Sequence, residues 1–155
     1  MQEHDQTLVQ LAQLQKATAS IAAGGYSADV WRRLTRAVEF IRDEVTHHNR
    51  REEDALFPVL ERYVEGPTDL MRAEHRTLKK EFTRLQKAFE NLCKDRANRE
   101  AAVAVAEISQ GIVKIMVNHI HKENHILFPL VQKFLTKDAL REIARRMTAE
   151  DFISS

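Results

Sequence analysis

His48 and Glu52 stand four residues apart, as do His119 and Glu123, and each pair runs on into Leu-Phe-Pro, at Leu56-Phe57-Pro58 and Leu127-Phe128-Pro129. Residues four apart share one face of a helix, and imidazole and carboxylate both ligate metals. The offset between the copies is 71 residues throughout (48 to 119, 52 to 123, 58 to 129), and it extends beyond these motifs. Glu3-His4 falls on Glu74-His75, Leu14-Gln15-Lys16-Ala17 on Leu85-Gln86-Lys87-Ala88, and Ile41 on Ile112. A fixed period of this kind is the signature of a repeated unit. Each copy carries one lone histidine early and one His/Glu pair late.

Helices must position these residues. Leu8, Leu11, Leu14, Thr18 and Ile21 recur at three- and four-residue steps, which predicts an amphipathic helix from Glu3 to Ala23, stopped by Gly24-Gly25. Ser27 or Asp29 can cap a second helix with Trp31, Leu34, Val38, Ile41, Val45, His48, Glu52 and Leu56 inward, and Pro58 should kink or end it. After the turn at Gly66-Pro67, Thr68 or Asp69 caps a third helix with Met71, His75, Leu78, Phe82, Leu85, Phe89 and Leu92 on one face. A fourth carries Val105, Ile108, Ile112, Ile115, Met116, His119, Glu123 and Leu127 inward. A short helix from Lys137 to Met147 should pack across one end, and the last few residues should fray. No stretch alternates as a half-buried strand does. The reading is therefore an all-α fold, an antiparallel up-down-up-down four-helix bundle of two repeated hairpins with a short C-terminal helix. It forms a single domain over 1–155, with hairpins over about 1–66 and 67–135.

Composition narrows the function. A net charge of +1 with mixed signs gives no support for nucleic-acid binding. No apolar run approaches the roughly 18 to 20 residues of a membrane span, and no signal-type start is present, so a cytoplasmic location is expected. The single cysteine, Cys93, excludes an intrachain disulfide and any multi-thiolate metal site, and it reads as a buried or half-buried residue near a helix end.

In each hairpin the lone His and the His of the pair lie about 20 residues either side of the turn, roughly 30 Å away at about 1.5 Å per residue. His4, His48, Glu52, His75, His119 and Glu123 therefore converge in one layer of the core. Burying them costs several kcal/mol unless they satisfy one another, and a bound metal does so. Two metals, each with two imidazoles and one oxygen from each of Glu52 and Glu123, are four-coordinate from protein alone, and an oxide or hydroxide bridge leaves one open position at each. Nitrogen and oxygen donors without thiolate suit iron, with manganese or zinc also fitting by ligand type. Glu44, four before His48, and Glu74, beside His75, are candidates to support an imidazole or to carry protons from solvent. His121 points away from His119 and with His125 reads as a solvated face. His47 is about 100 degrees off the His48 direction.

The lone His, the His-x-x-x-Glu with Leu-Phe-Pro, and their second copies span residues 4 to 129. In these motifs the chain resembles the hemerythrin-like, or HHE cation-binding, family of non-haem di-iron four-helix bundles. The resemblance implies two iron ions ligated by the six residues above, with both glutamates bridging. It also shows departures. Oxygen-carrying hemerythrins place a second His where this chain has Lys79, and they use a His and an Asp five apart where it has His119 and Glu123. The pattern is nearer to the bacterial relatives implicated in nitric oxide and peroxide responses and in iron-sulfur cluster repair. Repair proteins usually add a small Cys-bearing N-terminal domain that these residues do not include. Three functions follow as expectations. One is binding or reduction of oxygen, peroxide or nitric oxide with an unidentified redox partner, as in a peroxide or nitric oxide reductase. The others are a non-catalytic sensor or interaction module, and an iron donor for cluster repair.

Overall fold

Side-chain caps at Ser27, Asn98 and Thr136 start three of the helices. The structure is a computed structural model that describes residues 2–154, with side chains described from 4 to 148. Helix α1 spans Gln2–Ala22, and Gly24 turns the chain at φ 91°. The Ser27 side chain accepts from the Val30 amide to start α2, Ala28–Phe40. A wide π-helical turn, Ile41–Val45, leads into α3, Thr46–Arg51, and a second, Glu52–Leu56, leads into α4, Phe57–Leu60. Helix α5, Pro67–Lys94, starts two or three residues earlier than expected. Gly66, at φ 108°, is its N-cap and Pro67 its first residue, in place of a Thr68 or Asp69 cap. Asn98 caps α6, Arg99–Lys122, by accepting from the Ala101 amide. A third π turn, Glu123–Leu127, precedes α7, Phe128–Phe134, and α8 runs Lys137–Ser154, well past the expected end at Met147 and through residues expected to fray. No strand occurs among the described residues.

The prolines act differently from the expected kink or stop. Proline has no amide proton and its ring crowds the carbonyl four residues back, so an α-helical turn ahead of Pro58 or Pro129 would lose a bond and clash. Widening that turn relieves both. The Phe57 amide donates to the Glu52 carbonyl and the Phe128 amide to that of Glu123, five residues back in each case. Each glutamate of the motif thus opens a wide turn that accommodates its own downstream proline.

The molecule is an all-helical bundle. Helix α6 packs on both α1 and α5, α1 packs on α2, and α5 meets the second helix at the Ile41–Val45 turn. Two apolar clusters result. The larger contains Leu11, Leu14, Leu34, Val45, Leu78, Leu85, Ile112 and Met116. The smaller contains Leu56, Phe57, Met71 and Leu127, closed by Ala139 and Ile143 of α8. On α5 and α6 the motif residues fall between the two: His75 between Met71 and Leu78, His119 and Glu123 between Met116 and Leu127. Cys93 is exposed, against expectation, because it follows the buried Leu92 by one residue and so points off the core stripe of α5.

Leu85 is 1% exposed and Leu70 50%. Leu85→Ala should lower unfolding stability by about 2–5 kcal/mol and Leu70→Ala by less than about 0.5 kcal/mol, measured by urea titration of the metal-free protein.

Candidate metal centre

The sequence brings a histidine from each of α1, α3, α5 and α6 into the layer between the apolar clusters, with Glu52 and Glu123 at the starts of two π turns. His4, Glu52, His75, His119 and Glu123 are buried, and the His48 side chain is 24% exposed. Their donor atoms form two groups, Glu52, His75, His119 and Glu123 in one and His4, His48 and Glu123 in the other, with the atoms of each within 4.8 Å of one another. All six residues expected from the repeat are in these groups.

The carboxylates lie between the imidazoles of the two hairpins. Glu123 Oε2 is 2.6 Å from His4 Nε2 and 3.9 Å from His48 Nε2, while its Oε1 is 2.8 Å from His119 Nε2. Glu52 Oε1 is 3.3 Å from His75 Nε2, 3.6 Å from His48 Nε2 and 4.0 Å from His119 Nε2. Across the layer the Nε2 atoms of His75 and His119 face each other at 3.1 Å. Yet Glu52 Oε1, Glu52 Oε2 and Glu123 Oε1 accept no hydrogen bond, the short Glu123 contact being misaligned for one. Each orphaned buried acceptor costs about 1–3 kcal/mol. A metal ion held among these donors would satisfy the unpaired oxygens.

Charge follows from this crowding. Burial and the neighbouring Glu123 carboxylate push the Glu52 carboxyl up, but His119, His48 and His75 outweigh them and hold it below its ordinary value. Burial raises Glu123 too, and His119, His4 and His48 bring it far below the carboxylate range. Burial pulls His119 down, but Glu123 and Glu52 push it up to about 9. Two carboxylates thus hold a proton on an imidazole that must be neutral to ligate a metal.

Around the six, the two hairpins serve each other. Phe57 of the first Leu-Phe-Pro stacks on His75, at 5.6 Å and 22°, and Phe128 of the second stacks on His4, at 5.5 Å and 22°. His75 Nδ1 donates to Glu53 Oε1 at 2.9 Å, and His4 Nδ1 donates to Asn124 Oδ1 at 2.9 Å. Sequence reasoning missed Glu53 and Asn124. On an ideal helix each stands about 100 degrees from the preceding glutamate, and the wide turn that begins there lets both side chains serve. Their place immediately after Glu52 and Glu123 was the available signal.

Of the two acids singled out earlier, Glu74 Oε1 lies 3.8 Å from His119 Nδ1, beyond hydrogen-bonding distance, and is held by Lys122 Nζ at 3.0 Å. Glu44 is exposed, because the turn Ile41–Val45 takes up an extra residue and keeps Ile41 and Val45 inward. The side chain of Glu3, the counterpart of Glu74, lies outside the described residues. His47 is half-buried and belongs to neither donor group, and His121 and His125 are exposed with rings 4.3 Å apart. A cavity of about 730 Å³ between the second helix and α5 reaches His75, Glu53 and Asn49, with Val38, Ile41 and Phe82 along it and Arg42, Lys79 and Lys87 among the charged side chains. No helix among the described residues is long and apolar enough to cross a membrane.

Fold and site together define a helical bundle with a buried His/Glu cluster suited to metal. The chain belongs to the hemerythrin HHE cation-binding domain family, whose profile matches residues 1–151. It is similar to the iron-sulfur cluster repair protein YtfE of Yersinia pestis (strain Pestoides F) and of Yersinia pseudotuberculosis (serotype O:1b), at 28% identity over 102 residues in each case. That match covers 63% of this chain and 46% of each relative, so the similarity spans about half the length of the curated proteins.

The charges of the site set a pH dependence. Carboxyls held below their unfolded value of 4.5 contribute stability above it that is lost on acidification. His119, raised from 6.5 to about 9, contributes stability present below 6.5 and lost as pH rises through about 9. The metal-free protein should melt highest between these limits and its Tm should fall from pH 6.5 to 9. Calorimetry in buffers of different ionisation enthalpy should register proton release on metal binding.

Proposed function

We propose that the protein holds two iron ions through His4, His48, Glu52, His75, His119 and Glu123, and that this pair binds or reduces a small oxidant, oxygen, peroxide or nitric oxide. The observation that carries the reading is the position of the two carboxylates, each in reach of imidazoles from both hairpins, with Glu123 common to both donor groups. Iron so held supplies a change of oxidation state and positions open to a small ligand. Manganese or zinc fits the same donors by type. The bundle is read as up-down-up-down, because short turns join α1 to α2 and α5 to α6.

The chain's own residues do the rest. Phe57 and Phe128 hold the rings of His75 and His4 in plane, and the apolar clusters on either side keep bulk water from the layer. The cavity between the second helix and α5 gives a small molecule a route to His75. Half-buried Glu53 lines that route while its Oε1 accepts from His75 Nδ1, so it is the carboxylate suited to hold a proton between solvent and site. A cytoplasmic setting and an unidentified electron donor belong to the same reading. So does a role in oxidative or nitrosative stress.

Iron donation to damaged iron-sulfur clusters is a second reading, favoured by the similarity to proteins named for cluster repair. Anaerobic loading with ferrous iron should give about two irons per chain, with an optical spectrum that changes on exposure to oxygen or nitric oxide. A colourless protein that prefers zinc and is unmoved by either gas would sink the first reading. Iron retained against strong chelators would count against the second. Glu123→Ala should reduce bound iron to below about one per chain, whereas Cys93→Ser should leave it unchanged, both measured by metal analysis.

A further inference from the structure

The two donor groups are unequal in ways that the 71-residue repeat makes visible. Glu53 and Asn124 are equivalent positions, each following the glutamate of its motif and each accepting from Nδ1 of the other hairpin's lone histidine at 2.9 Å. The geometry is the same and the chemistry is not. Glu53 offers a carboxylate to His75, and Asn124 offers a neutral amide to His4. A carboxylate behind an imidazole strengthens the opposite nitrogen as a ligand and fixes its orientation, and an amide carbonyl fixes the orientation with less charge.

Three other observations lean the same way. The group that includes His75 has four donors, and the group that includes His4 has three. The side chains of His75 and His119 are 3% and 2% exposed, while that of His48 is 24% exposed. His4 also lies in the first turn of α1, where backbone amides have no partner within the helix, whereas His75 lies well inside α5.

We propose that Glu53 and Asn124 are positioning residues that grade the two metal positions. The position beside His75 and His119, backed by the Glu53 carboxylate, keeps its metal, and the position beside His4 and His48, backed by the Asn124 amide, gives it up first. The inference rests on the two-metal reading and deepens it. One chain then combines a retained ion with an exchangeable one, and the residue that sets the difference lies outside the ligand set in each case. The exchangeable ion is the one at the more exposed histidine, His48.

The test is release of ferrous iron from the fully loaded, oxygen-free protein to a ferrous-specific chelator, followed by absorbance. The unaltered chain should lose its iron in two phases of equal amplitude, and His4→Ala should lack the fast one. Asn124→Asp, which puts a carboxylate behind His4, should slow the fast phase by about 10- to 100-fold and leave the slow phase in place. Glu53→Gln should speed the slow phase by about 10- to 100-fold. A variant that merely loosened the fold would not slow release, so Asn124→Asp keeps the test sharp if Glu53→Gln folds poorly. Two irons per chain with both phases unmoved by Asn124→Asp, or with both phases shifted equally by Glu53→Gln, overturns this inference and leaves the two-metal reading standing. A chain that holds a single iron overturns both.

Discussion

The structure depends on one crowded contact: two buried carboxylates set among four buried or half-buried imidazoles, in a layer between two apolar clusters. Two carboxylates so placed repel each other, and burial disfavours their charge. The histidines reverse that balance, holding Glu52 and Glu123 ionised and keeping a proton on His119 up to about pH 9. Without metal the layer is held by charge but short of hydrogen bonds, since three of its acceptor oxygens have none. A layer in that condition is matched to cations, and the rest of the bundle serves to hold it there.

The repeat explains how one chain builds such a layer. A single hairpin offers two imidazoles and one carboxylate but cannot surround its own lone histidine. The other hairpin does so, stacking a phenylalanine on the ring and accepting from its Nδ1. The prolines belong to the same device. The wide turns Glu52–Leu56 and Glu123–Leu127 run up to them and relieve the clash that an α-helical turn would bring. Those turns bring the residue after each glutamate to the opposite hairpin's histidine. The His-x-x-x-Glu and Leu-Phe-Pro motifs are therefore one unit, in which the first segment offers metal donors and the second orients a donor of the partner hairpin.

Membership of the HHE cation-binding family gives the chain its class, and the details of this site give it individuality. Lys79 occupies a position on the cavity that reaches His75. That cavity lies where the second helix and α5 touch mainly at the Ile41–Val45 turn. The cavity reaches His75, and Glu53 stands on it. The three-donor group draws His4 and the more exposed His48 from the first hairpin and Glu123 from the second.

The sequence by itself determined the helices and the convergence of the six site residues. Periodicity reports which face of a helix is buried, and the 71-residue offset reports which faces are equivalent. His4, His48, Glu52, His75, His119 and Glu123 were legible because imidazole and carboxylate on apolar stripes are costly anywhere except together. Tertiary structure decided what a uniform 3.6-residue helix cannot express. The wide turns alter the phase of the second helix, leaving Glu44 at the surface and admitting Glu53, and they do the same for Asn124. Cys93 sits one residue off the core stripe and is exposed, and α8 runs to Ser154. The difference between Glu53 and Asn124 was written in the sequence all along. Its meaning required the fold, because each residue acts on a histidine that the chain places in the other hairpin.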